Sequence, residues 1–185
     1  MAEKKRQGDR DTRVEGALWV LTTPDGGLYD DIDTDMIFHN RYLHITDLAQ
    51  MGQYTLDNLA GWEGFARQVQ PGDVVMAGKN FGAGSSRQQA VDCFQALGVA
   101  VIVAESYGAI YKRNAINSGF PIVAFPDLAE HIIHFKTGDR LAVDFETGEV
   151  VVNGSQRFEA EPFSQVQMEI YQAGDLFTYG KGLDG

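Results

Sequence analysis

The sequence predicts an α/β fold with a mainly parallel core sheet and short antiparallel strands added to it. Two observations carry this. Short apolar runs at residues 73–77 (DVVMA), 99–104 (VAVIVA) and 121–125 (PIVAF) alternate with helical patterns at about 86–97 and at 107–118. Strand, helix, strand, helix, strand in succession implies parallel strands joined by right-handed crossovers. From Arg140 the pattern changes to short strands at 141–145, 149–152 and 156–158, with turn signals such as Asn153-Gly154 between them. Such spacing reads as antiparallel hairpins.

Residues 1–13 are dense in charge and poor in apolar side chains, so they predict a flexible tail, with 14–185 as a single domain. Residues 14–22 (VEGALWVLT) read as the first strand, closed by the turn Pro24-Asp25-Gly26-Gly27. Asp30, Asp31, Asp33 and Asp35 then crowd one stretch. They lack the spacing of a calcium loop, and aspartates commonly serve as turn and cap residues. Residues 48–69 predict one or two short helices, with Leu56, Leu59, Trp62 and Phe65 on an apolar face. The run 99–104 carries no polar residue, as in a strand buried on both faces. His131 and His134 stand three apart on a helical pattern without a third metal ligand, and read as a solvent-facing pair. A last helix at 164–173 precedes a glycine-rich tail.

Composition narrows the function. At 185 residues the chain suits one domain with a sizeable core. A formal net charge of −11 argues against a nucleic-acid or anionic-membrane surface. No apolar run is long enough to span a bilayer and no secretion signal is evident, so a cytoplasmic address is expected. Cys93 is the sole cysteine, placed among Val91, Phe94 and Leu97 on a helical pattern, where it reads as a buried small residue.

The stretch the chain is organised around is residues 78–87, GKNFGAGSSR. Gly82 and Gly84 permit backbone conformations closed to other residues, and Ser85, Ser86 and Arg87 follow at once. A strand ending in a glycine turn that opens a helix aims N–H groups at an anion, and an arginine adds a two-pronged grip on carboxylate or phosphate. Three readings stay open on the residues alone: a serine that caps the next helix, a phosphate cradle with Glu105 as a ribose acid, and a catalytic serine in a nest of amides. The nucleophile-elbow pattern is absent.

The strings NFGAGSSRQQA and VIVAESYGAIYKRNAINSGFPIV, with the upstream DDIDTDMI at 30–37, resemble the small subunit of 3-isopropylmalate dehydratase, the swivel domain of the aconitase superfamily standing as a separate chain. The likeness runs from about Leu18 to Gly174. It implies an aconitase-swivel-like β/β/α domain. The implied activity is a hydro-lyase (lyase) that isomerises a hydroxy di- or tricarboxylate by dehydration and rehydration, most directly 2-isopropylmalate to 3-isopropylmalate in leucine biosynthesis. The alternatives are a homoaconitase, dimethylmalate or other aconitase-type hydratase subunit, and, in another class, a non-catalytic carboxylate- or phosphate-binding module. The resemblance implies Ser85 as the catalytic base, and Asn80, Gly84, Ser86 and Arg87 as substrate-binding. Arg41, Tyr42, Leu43, His44 and Ile45 fall in the segment that selects the substrate's side group, with His44 where relatives often carry arginine. The implied cofactor is a [4Fe-4S] cluster on a large partner subunit, with no metal bound by this chain.

Overall fold

The computed structural model describes residues 10–183. Strand β1 (Arg13–Val20) lies at the centre of one seven-stranded sheet. On one side β2 (Val74–Ala77), β3 (Val101–Ala104) and β4 (Ile122–Ala124) follow in parallel, and on the other β5 (Arg140–Asp144), β6 (Glu149–Val152) and β7 (Gln156–Glu159) follow antiparallel, in the order β4-β3-β2-β1-β5-β6-β7. In chain order the helices are α1 (Thr34–Ile37), α2 (Leu48–Met51), α3 (Phe65–Gln68), α4 (Gln89–Ala96), α5 (Ala109–Asn117), α6 (Leu128–His131), α7 (Gln165–Ala173) and α8 (Leu176–Leu183).

The period-two alternation of the strands builds two cores. Val75, Ala77, Ile102, Ala104 and Ile122 face a layer containing Met51, Phe65, Phe94 and Tyr111 from α2, α3, α4 and α5. Val74, Met76, Val101, Val103 and Val123 face the opposite layer, with Leu141, Val143, Val150 and Val152 of the antiparallel strands and Leu128 and Tyr171 of α6 and α7. The all-apolar runs are thus explained: both sides of the parallel strands are covered. The α/β class with a parallel core and added antiparallel strands is the observed architecture.

Three expectations are corrected. Helix α4 begins at Gln89, three residues later than Ser86. The supposed glycine-rich tail contains α8, started by the Asp175 carboxylate, which accepts from the Thr178 N–H at 2.6 Å, and packed on α5 and α7. Residues 1–9 of the expected tail lie outside the described residues, but 10–13 are docked. The Arg10 guanidinium donates to Tyr171 O (2.9 Å) and Gly119 O (3.0 Å) and lies 3.9 Å from the Tyr171 ring centre. No described helix is long and apolar enough to cross a membrane.

Candidate active site

Three segments far apart in sequence are laced together at the carboxyl ends of the parallel strands. The loop leaving β2 pairs with the aspartate-rich segment: Gly78 N–H donates to Tyr29 O (2.9 Å), Asp31 N–H to Lys79 O (2.8 Å), Gly82 N–H to Ile32 O (2.8 Å) and Thr34 N–H to Ala83 O (2.9 Å). On its other flank the turn after β3 accepts from it: Ser106 Oγ from Asn80 N–H (2.9 Å) and Ser106 O from Phe81 N–H (3.0 Å). Phe81 is fully buried, edge-on to Tyr111 at 5.3 Å and to Tyr107 at 6.2 Å, and pins the middle of the loop. A side chain so buried contributes about 1.5–3 kcal/mol.

The two glycines serve different needs. At Gly82 (φ +77°) an added Cβ would fall 2.2 Å from Tyr111 Cγ, so close packing excludes any side chain. At Gly84 (φ +99°) the nearest atom to such a Cβ is Thr34 Oγ1 at 3.5 Å, so only the backbone conformation requires glycine.

Ser85 is exposed, and its Oγ lies 3.2 Å from Oγ1 of the buried Thr34. Helix α4 has Gln88 as its N-cap with no side-chain capping bond, so neither serine caps it and that reading fails. Among the described residues no acceptor is assigned to the backbone N–H groups of residues 84–89. An exposed hydroxyl therefore sits beside a run of unfilled donors at the head of a helix, the arrangement that receives negative charge. Ser86 is exposed alongside.

Arg87 behaves differently from the free two-pronged grip its sequence position suggests. Its side chain is 11 % exposed, and Nη1 donates to Phe38 O (2.7 Å), Asp35 Oδ1 (3.1 Å) and Thr34 O (3.3 Å). It is a strut between the serine loop and α1. Nε and Nη2 have no acceptor among the described residues. Asn80 takes φ +56° and spends its Nδ2 on Asp31 Oδ1 at 2.8 Å. Glu105 pairs with Lys79 at 3.7 Å.

The aspartates are spent on structure. Asp30 accepts from Lys79 N–H (2.7 Å), and Asp33 caps α1 through the N–H groups of Asp35 (2.9 Å) and Met36 (2.8 Å). Burial pushes the Asp35 carboxyl up, but the Asn40 N–H, the Arg87 guanidinium and His39 outweigh it and hold it below the usual carboxylate range. Among the described residues no group of three His, Cys, Asp or Glu side chains is disposed to hold a metal. Cys93 is buried with its thiol pushed up to about 12 by that burial. His131 and His134 are half-buried, and both rings pack on Phe158, at 5.2 and 5.5 Å.

Residues 41–45 are an alternation of inward and outward side chains around a 3-10 turn at Asn40–Tyr42. Tyr42 and Ile45 pack against the core, while Arg41, Leu43 and His44 are exposed. His44 Nδ1 is 3.0 Å from Arg41 O, and the Arg41 guanidinium lies 5.1 Å from the Tyr42 ring centre. The structure thus joins Ser85, Ser86, Arg87 and Gly84 with Thr34 and Asp35, and ties Asn80 to the same loop. Sequence reasoning missed Thr34, although it stands within the quoted DTD string. Cavities of about 410, 840 and 630 Å³ lie elsewhere, along the Arg10–Tyr171 contact, beside Phe158 and under α8.

A serine loop carried at the carboxyl ends of a parallel sheet and braced by a DTD segment is the plan of a known class. The family model of the aconitase C-terminal domain matches residues 31–127, which spans both segments. The chain is 39% identical to the 3-isopropylmalate dehydratase small subunit of Caldicellulosiruptor bescii over 155 residues, covering 83% of this chain and 90% of that one. It is 40% identical to the protein of the same name from Sulfolobus acidocaldarius over 152 residues, covering 82% and 91%. The solved structure of a 3-isopropylmalate dehydratase from Methanocaldococcus jannaschii superposes with a TM-score of 0.80 at 31% identity, covering 93% of this chain and 95% of that one. The chain belongs to the 3-isopropylmalate dehydratase small-subunit family of the aconitase superfamily.

Proposed function

We propose that this chain is the small subunit of a hydro-lyase that interconverts 2-isopropylmalate and 3-isopropylmalate, in leucine biosynthesis, and that it works only when joined to a large subunit. The observation that carries the reading is the exposed Ser85 hydroxyl, held by Thr34 beside unfilled N–H groups on an open surface. An open half-site needs walls, and a second chain supplies them.

The residues of this chain do not fit an iron–sulfur cluster. Such clusters need several thiolates, and Cys93 is one thiol, buried and held protonated. A [4Fe-4S] cluster belongs to the partner in this reading, where it would supply the Lewis acid for the departing hydroxide. The steps assigned here are those of this chain. Ser85 Oγ takes the proton alpha to a substrate carboxylate as the C–O bond on the neighbouring carbon breaks and hydroxide leaves, giving the alkene. It returns the proton to that neighbouring carbon as water adds its hydroxyl to the carbon that was deprotonated. A free hydroxyl is too weak an acid for this, so its negative form must be held by donors already in place, here the Thr34 hydroxyl and the N–H groups of the loop. Ser86, the backbone at Gly84, the second Nδ2 hydrogen of Asn80 and the free edge of Arg87 receive the substrate's carboxylates.

The segment Arg41, Tyr42, Leu43, His44 and Ile45 favours a branched alkyl side group over a distal carboxylate. Exposed Leu43 offers apolar surface, and Arg41 is turned over the Tyr42 ring. The test is anaerobic reconstitution with a cluster-loaded large subunit, followed by assay against 2-isopropylmalate, homoaconitate, dimethylmalate and citrate. The expected outcome is an inactive chain alone and a pair that prefers 2-isopropylmalate. Ligand binding by the lone chain with no activity on mixing supports the non-catalytic binding module instead.

A further inference from the structure

We infer that Tyr42 and Asp57 form a latch that fixes the side-group-selecting segment in one conformation, which makes Tyr42 a positioning residue for substrate discrimination. The inference rests on the reading above, in which residues 41–45 meet the substrate.

The latch has three parts. The Tyr42 hydroxyl donates to Asp57 Oδ2 at 2.6 Å, across fifteen positions of sequence. The Tyr42 ring stacks on Tyr54, with centres 3.9 Å apart and planes 19° from parallel, and meets Phe38 edge-on at 5.9 Å. The backbone that delivers Asp57 is bent for the purpose. Leu56, a buried residue with a side chain, takes φ +61°, a conformation that costs energy and persists only where surroundings impose it. Its N–H donates to Ile37 O at 2.9 Å, which ties this bend to the end of α1.

Asp57 shows what holds the latch shut. Its Oδ1 is buried and has no hydrogen-bond partner, so the Tyr42 hydroxyl is the contact that satisfies the carboxylate. Losing it would strand the acid, which disfavours partial opening. With Tyr42 held, the 3-10 turn sets the outward residues: Tyr42 N–H to His39 O (3.0 Å), Leu43 N–H to Asn40 O (3.2 Å) and Ile45 N–H to Tyr42 O (2.9 Å). Leu43 and His44 then stand on the exposed side in a defined order. A loop free to flex would present them in many arrangements and would discriminate poorly between side groups.

The experiment uses the full chain and its reconstituted pair. Tyr42→Phe keeps the stacking and deletes the donor, while Asp57→Asn keeps an acceptor for it. Tyr42→Phe is expected to speed amide exchange over residues 41–46 about tenfold. It should raise KM for 2-isopropylmalate about tenfold, with a smaller change in kcat, and compress the preference over dimethylmalate. Asp57→Asn should retain most of the wild-type preference. Exchange and preference unchanged in Tyr42→Phe overturn the latch, and so does an equal loss toward every acid accompanied by a lower Tm, the mark of a merely structural role. A wild-type pair that turns over none of these acids overturns the functional reading instead, and the specificity role with it, whatever the exchange rates show.

Discussion

Replacing Arg87 by methionine removes the strut and leaves a side chain of similar length. The magnitude follows from the contacts. Nη1 faces three acceptors, Phe38 O at 2.7 Å, Asp35 Oδ1 at 3.1 Å and Thr34 O at 3.3 Å, from a side chain 11 % exposed. One guanidinium nitrogen carries two hydrogens, so about two strong bonds count at any moment. At about 1.5–3 kcal/mol for a bond from a charged donor, discounted because the Asp35 side chain is 41 % exposed, the loss comes to about 2–4 kcal/mol. In a domain of this size each kcal/mol moves Tm by about 2–4 °C, so a fall of roughly 4–16 °C is expected. Urea and thermal unfolding of the isolated chain measure it without any partner. Arg87→Lys should recover little, because a point charge on a flexible stem cannot serve acceptors spread over three residues. A methionine variant as stable as the wild type would refute the strut and return Arg87 to a purely substrate-facing role.

Three further predictions concern the serine loop and its brace. Asp35 has a depressed folded-state pKa, so it contributes stability above its unfolded pKa near 4, and that contribution is lost as pH falls through the lower folded value. Urea midpoints between pH 7 and pH 2 should fall less steeply at the acid end in Asp35→Asn than in the wild type, and parallel curves would count against the assignment. Gly82→Ala places a methyl carbon 2.2 Å from Tyr111 Cγ at φ +77°, and should lower stability by about 2–4 kcal/mol in a denaturant titration. Gly84→Ala, with only the conformational cost at φ +99°, should lose less than Gly82→Ala in that titration.

Much of this architecture was legible before any coordinates. The run 101–104 is apolar throughout because both faces of β3 are covered, and the glycine loop announced itself by composition. What failed was decided by distant partners. Ser86 and Arg87 carry no local bar to a helix, yet α4 starts only at Gln89, while the Arg87 guanidinium is committed to Phe38 O and Thr34 O, 49 and 53 positions away. Helix α8 carries Gly180 and Gly182, which have poor helix propensity, and is held by the Asp175 carboxylate at its start and by the Tyr179 hydroxyl donating to Glu169 of α7. The pairing of Thr34 with Ser85 spans 51 positions and that of Tyr42 with Asp57 spans 15, distances at which one sequence gives no signal.

The most direct measurement is turnover by the reconstituted pair carrying Ser85→Ala, alongside subunit association and substrate binding. Loss of the proton-abstracting group should cost about 10²–10⁴ in kcat while association and binding persist. Turnover within a few fold of wild type would show that another group takes the proton, and the account of this loop as a held, basic hydroxyl would be wrong.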